Sequence, residues 1–225
     1  MPRILALSVL FALLATVAGC EGVGYIASAF EDKKVPAKYT LPKRTTVVLV
    51  DDPADELRDP QLLQVIAARA TVDLKTAEVV PKMIEPSEVV ALQLKKGRDF
   101  LQMPVDRIGR ELGADQVIHV HIRSASVIGE PGTIKPSAIV WVKVIDATDR
   151  KRLFPASAQK AGEPDKASSE GAHVLKISLR IKSNAGIDPQ RAIENTRQTL
   201  ANRIGSDLGK LFYAAEPDPS DAMRP

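Results

Sequence analysis

The run Gln116 to Arg123 constrains the fold of this chain more than any other segment. Side chains alternate across an extended strand, so Ile118, Val120 and Ile122 share one side while Val117, His119, His121 and Arg123 share the other. A strand apolar on one side and mixed on the other needs at least one covering layer, plus neighbours to pair with. Thr45 to Val50 is a β-branched apolar run stopped by Asp51-Asp52-Pro53, and it predicts a strand buried on both faces. Ala138 to Ile145 predicts another strand, and Asp146-Ala147-Thr148-Asp149-Arg150 is turn chemistry from which Lys151 to Phe154 returns as a hairpin partner.

Helices are announced by their caps. Asp59-Pro60 is an N-cap followed by proline at the first helical position, and Leu62, Val65, Ile66 and Ala70 follow at helical spacing. Asp188-Pro189 repeats the signature and opens the longest helix, striped by Ile193, Leu200, Ile204, Leu208 and Leu211. Its opposite face is polar, with Arg191, Asn195, Gln198, Asn202 and Ser206. Pro86 starts a short helix carrying Val89 and Leu92. Pro104 starts another with Val105, Ile108 and Leu112, ended by Gly113. Ala77 to Val80 reads as a strand stopped by Pro81, and His173 to Ile181 as a strand with Leu175, Ile177, Leu179 and Ile181 on one face. The expected fold is α/β (α+β): a single mixed-sheet domain with helices packed on the sheet and a long C-terminal amphipathic helix.

Composition removes several function classes. A net charge of +3 is no basic footprint, so no nucleic-acid partner is expected. Nine aromatics, four of them within the first forty residues, leave little for a base-stacking surface. A single cysteine excludes an intrachain disulfide and a multi-cysteine zinc site.

That cysteine has an address in front of it. Arg3 is followed by an uncharged, mostly apolar run from Ile4 to Val17, short for a bilayer span and suited to a secretory signal. Val17-Ala18-Gly19-Cys20 closes it, and small residues before a lone cysteine resemble the bacterial lipobox. The resemblance implies cleavage between Gly19 and Cys20, with the Cys20 thiol carrying diacylglycerol and the new N-terminus often a further acyl chain such as palmitate. Stable anchoring generally takes more than one chain, and this modification supplies it. The expected layout is a signal peptide over 1–19, a lipid-anchored spacer over 20–44, the domain over 45–212 with a polar excursion at 156–172, and a disordered tail over 213–225. The expected location is the periplasmic side of a bacterial cell-envelope membrane, with the leaflet left open.

A pattern across the domain carries a family resemblance. Thr46-Val47-Val48-Leu49-Val50 is followed by Ile108-Gly109-Arg110-Glu111-Leu112-Gly113-Ala114-Asp115-Gln116-Val117-Ile118. Val142-Lys143-Val144-Ile145-Asp146 and the return to Leu153-Phe154 come next. This string resembles the anticodon-binding-like α/β group that includes the TolB amino-terminal domain, CsgG and LpoB-type activators, over residues 45–155 and 188–212. The resemblance implies a partner-binding or assembly domain and transfers no catalytic residue.

Candidate chemistry is sparse. His119 and His121 lie two apart on one strand face, as a two-histidine metal site requires, but a working site needs a third ligand, and His173 is the only other histidine. Asp51 and Asp52 end a strand where α/β domains often hold ligands, although Asp52-Pro53 also suits a turn or cap. No Gly-x-Ser-x-Gly elbow, phosphate loop or His-Glu-x-x-His helix is present. The expectation is a non-catalytic, cofactor-free envelope lipoprotein that binds or scaffolds another envelope component. The alternative is a transport accessory that captures a ligand or cell-wall fragment. A hydrolase or metal-dependent enzyme using Asp51/Asp52 or His119/His121 ranks after both.

Overall fold

The structure is a computed structural model, and it describes residues 34–128, 134–156, 171–179 and 188–217. The leader, Gly19, Cys20, most of the expected spacer, the loop at Gly129 to Gly132, Ile181, and the bulk of the polar excursion and tail lie outside the described residues. The chain divides into two compact units, 36–214 and 1–35 with 215–225. In the second, Val35 and Ala215 form an antiparallel bridge, with Val35 N–H donating to Ala215 O at 2.7 Å and Ala215 N–H to Val35 O at 3.1 Å.

The larger unit is built on a five-stranded mixed sheet. β1 (Thr46–Asp51) runs parallel to β2 (Gln116–Ile128), and β3 (Ile134–Asp146) pairs antiparallel with β2. The far side of β3 is shared by β4 (Arg152–Phe154) near its C-terminal end and β5 (His173–Ser178) further back, both antiparallel. Among the described residues four α-helices join them: α1 (Pro60–Thr76), α2 (Pro86–Lys96), α3 (Val105–Glu111) and α4 (Pro189–Gly209). A 3-10 turn, Gly97–Gln102, follows α2. This is the α/β fold that the alternation and caps dictate. No helix among the described residues is long and apolar enough to cross a membrane.

The caps work as their chemistry requires. The Asp59 carboxylate accepts from Gln61 N–H at 2.8 Å, and the Asp188 carboxylate from Gln190 and Arg191 N–H at 3.0 and 3.1 Å. Each satisfies first-turn donors that the helix itself leaves unpaired. Pro104 is the N-cap residue of α3 rather than its first helical residue.

Each side of the sheet has its own core. Ile118, Val120, Ile122, Val140, Val142 and Val144 are buried beneath α1 and α4, whose Ile66, Ala70, Leu200, Ile204 and Leu208 are also buried. Val47, Leu49 and Val117 point the other way, against Val89 and Leu92 of α2, Phe100, and Ile108 of α3. Each such large side chain contributes about 1.5–3 kcal/mol relative to exposure. The second layer is short. It covers β1 and the start of β2, while farther along the sheet Ile139 and Arg123 are exposed and His121 and Trp141 half-buried.

Three expectations change. Ala77 to Val80 is not a strand: Glu78 adopts a left-handed conformation (φ 49°) just past α1, and Val79 N–H turns back to Leu74 O. Strand-like pairing comes later, at Met83, which bridges Thr46 in parallel. β2 and β3 both run beyond Arg123 and Ala138, pairing across two register shifts. The ordered unit also starts before Thr45. Leu41 is buried, the Tyr39 ring stacks on Phe154 at 5.1 Å, and Lys38 and Tyr39 N–H donate to Leu211 O. Residues 36–44 thus supply core side chains, and Tyr213, in the expected tail, packs on the same cluster.

Candidate functional site

The open part of the sheet gathers the polar candidates. Parallel register sets Asp51 of β1 opposite His121 of β2, and Leu49 opposite His119. The Asp51 carboxylate therefore lies between the two imidazoles. Its Oδ1 is 3.1 Å from His121 Nδ1 and 3.3 Å from His119 Nε2. Partial burial would raise the Asp51 carboxyl, but the hydrogen bonds and charge of the two histidines outweigh it and hold it below the ordinary carboxylate value.

The next pair extends the row. His121 lies directly across from Trp141 of β3, and their rings stack with centroids 5.9 Å apart. The Arg123 guanidinium carbon sits 4.2 Å from the Trp141 ring centroid, on a favourable cation–π path. Lys143 is paired with His119, Val174 with Trp141, and Lys176 with Ile139. Directly paired residues project from the same side of a sheet, so these side chains share one face. Arg123, Lys143 and Lys176 make no ion pair with a carboxylate among the described residues. The carboxylate in this row is Asp51, already engaged by two imidazoles.

The other candidates separate from this row. Asp52 is a turn residue, accepting from Glu56 N–H at 3.0 Å and Leu57 N–H at 2.9 Å. His173 pairs with Val142 and packs its ring against Phe154, which puts it on the opposite, α1/α4 side of the sheet from His119 and His121. It therefore cannot complete a site with them. No group of three histidine, cysteine, aspartate or glutamate side chains among the described residues is placed to hold a metal ion. Neither imidazole of the row bonds a serine, threonine or cysteine side chain among the described residues. Chemically, the row can accept hydrogen bonds, stack, and attract anions.

Sequence reading reached Asp51 and set His119, His121 and Arg123 on one strand face, but missed Trp141, Lys143 and Lys176 as their neighbours. Parity held a signal for two of them: Trp141 and Lys143, like Ile139, alternate with the buried Val140, Val142 and Val144. Their register against His119 and His121 needed the fold.

No family model matches the sequence, and no curated protein matches it. Solved structures show some likeness. Lipoprotein GNA1162 from Neisseria meningitidis is 12% identical, with 71% of this chain and 95% of that chain covered and a TM-score of 0.41. The PelC dodecamer from Paraburkholderia phytofirmans is 11% identical, covering 80% and 94%, with a TM-score of 0.39. Protein XCC0632 from Xanthomonas campestris is 6% identical, covering 79% and 87%, with a TM-score of 0.44. None of the three follows this chain closely enough for a function to be carried across.

Proposed function

We propose that this chain is an exported, lipid-anchored protein of the bacterial cell envelope. Its α/β unit binds an anionic surface of another envelope component and catalyses no reaction. The observation that carries the binding role is the bare sheet face. Trp141, His121 and Ile139 offer apolar and aromatic area, and Arg123, Lys143 and Lys176 bring positive charge without carboxylate partners among the described residues. Aromatic and arginine side chains concentrate binding energy at interfaces, and complementary charge selects the partner. The anchor is supported by the leader and the lone Cys20 behind small residues. An assembly or regulatory role is also what the resemblance to TolB amino-terminal, CsgG and LpoB-type domains implies.

The test is in-cell photocrosslinking with mass spectrometry. A photoreactive residue at Ile139, exposed on the face, is compared with one at Val72, exposed on α1. Position 139 is expected to capture a defined envelope protein that position 72 does not, and Cys20→Ser is expected to lose it. Capture equal at both positions, or none from a membrane-bound protein, would overturn the reading.

A further inference from the structure

β1 is an edge strand whose outer side is only half used. Thr46 faces outward, its N–H donating to Lys82 O at 3.0 Å and its carbonyl accepting from Ile84 N–H at 2.8 Å. Successive strand residues aim their backbone groups to opposite sides, so the N–H and C=O of Val48 and Val50 point outward as well. The segment that pairs with Thr46 leaves at Pro86 to form α2, and no hydrogen bond reaches the outward groups of Val48 or Val50 from any described residue. Both residues are buried, at 2% and 9% exposure, where an unmet backbone donor or acceptor is costly.

What lies beside them is a groove. Val48 and Val50 line an opening of about 150 Å³ between α1 and α2, walled by Leu63, Ala67, Val89 and Val90. Val50, Leu63 and Gln93 also border a cleft of about 490 Å³ that runs past Phe100 and Met103 to Asp51. The second oxygen of Asp51 takes no hydrogen bond from any described residue, its Oδ1 serving both imidazoles. The neighbouring stretch of edge, β2 past His121 where β1 has ended, is guarded: the Glu56 carboxylate accepts from Ala125 N–H at 3.3 Å. Charged side chains on an edge discourage strand pairing, and no carboxylate among the described residues bonds the outer amides of β1.

We propose that the outer edge of β1 is a strand-addition site. An extended segment of a partner protein, apolar at alternate positions and basic at its Asp51 end, pairs with Val48 and Val50 in the groove between α1 and α2. Main-chain hydrogen bonds give such a site its affinity, and the pockets that take alternate side chains give it selectivity. The strand edge and the bare sheet face meet at Asp51, and Val90, which walls the groove, is not part of that face, so Val90→Trp tests the edge alone.

The test selects binders from a random peptide library displayed against the full chain, then follows backbone amide exchange. Selected peptides are expected to alternate apolar residues and to slow exchange at Val48 and Val50 about tenfold or more. N-methylation of their alternate amides, or groove filling by Val90→Trp, is expected to abolish this, while Val72→Trp leaves it intact. Asp51→Asn is expected to weaken peptides that end in lysine and to spare their uncharged versions. The proposal is overturned if no binder emerges, if protection falls elsewhere, or if N-methylated peptides protect equally. Concentration-dependent protection of Val48 and Val50 without peptide would assign the groove to a second copy of the chain, and overturns a separate partner.

Discussion

Arg44 Nη1 lies 2.7 Å from Asp146 Oδ2, joining the segment that enters β1 to the turn that leaves β3. Asp146 is almost fully buried and also accepts from Thr148 N–H at 2.9 Å and Asp149 N–H at 2.8 Å. The Asp149 hydrogen bond acts first on its acidity. Burial opposes ionisation, and the Thr148 amide and Arg44 add to the first effect, so the carboxyl is held below its ordinary 3.8.

Asp146→Ala is expected to cost about 1–3 kcal/mol, because two turn amides and a guanidinium lose their acceptor together. A folded value lower than the unfolded one means this contribution is fully present above 3.8 and is lost as pH falls through the lower folded value. Urea unfolding of wild type should therefore show an acid-side loss of stability that is shallower in Asp146→Ala. Parallel acid limbs in the two proteins would refute the assignment.

Glycine marks a contact where there is no room. A Cβ on Gly205 of α4 would lie 2.7 Å from the Ile66 carbonyl oxygen and 2.7 Å from Arg69 Cβ of α1. The carbonyl belongs to a helix backbone and cannot swing aside, so the helices must part. Gly205→Ala is expected to destabilise by about 1–3 kcal/mol, although alanine is the better helix former by about 1 kcal/mol. Gly209→Ala, whose nearest neighbour would be Asp73 Cβ at 3.1 Å, should cost less. Thermal unfolding of the two variants checks the order, and equal losses would contradict it.

Local signals foretold the elements whose causes are local. Asp59-Pro60 and Asp188-Pro189 begin helices because cap and proline act within a single turn, and His119 and His121 share a face because strand parity is fixed by the chain itself. Val79 and Val80 misled the reading because they are buried apolar residues in a turn, and burial is a tertiary fact that an apolar run shares with strands. Leu41 and Tyr39 looked like spacer because prolines and charges surround them, while their partners, Phe154 and Leu211, lie far along the sequence. The same distance hid the Asp51 link to the histidines, which needs β1 and β2 side by side across seventy residues.

The Asp51–His119–His121 cluster invites a metal test. Both imidazoles converge on one carboxylate oxygen, and His173 is on the other side of the sheet. Excess zinc raises the melting temperature of a protein that binds it in the folded state. Here the expected shift on adding zinc or a chelator is below about 1 °C, in keeping with no three ligating side chains being placed around one point among the described residues. A zinc-dependent rise that His121→Ala removes would restore the metal reading.

Trp141 is the sole tryptophan, so its fluorescence reports on the bare face alone. Its ring is bracketed by His121 and the Arg123 guanidinium, an exposed cation–π contact worth about 0.5–1 kcal/mol. Arg123→Ala should change the emission and leave the melting temperature nearly unmoved, since the contact lies outside both cores. A large loss of stability would instead make Arg123 a structural residue. Charge reversal is the stronger probe of function. Arg123→Glu with Lys176→Glu turns an attractive face into a repulsive one without touching a buried side chain, so the variant should fold normally and lose capture of its envelope partner. Raising the salt should weaken wild-type capture in the same direction, because exposed charges are screened beyond about 10 Å at 0.1 M. Capture that is indifferent both to reversal and to salt would place the partner on another surface.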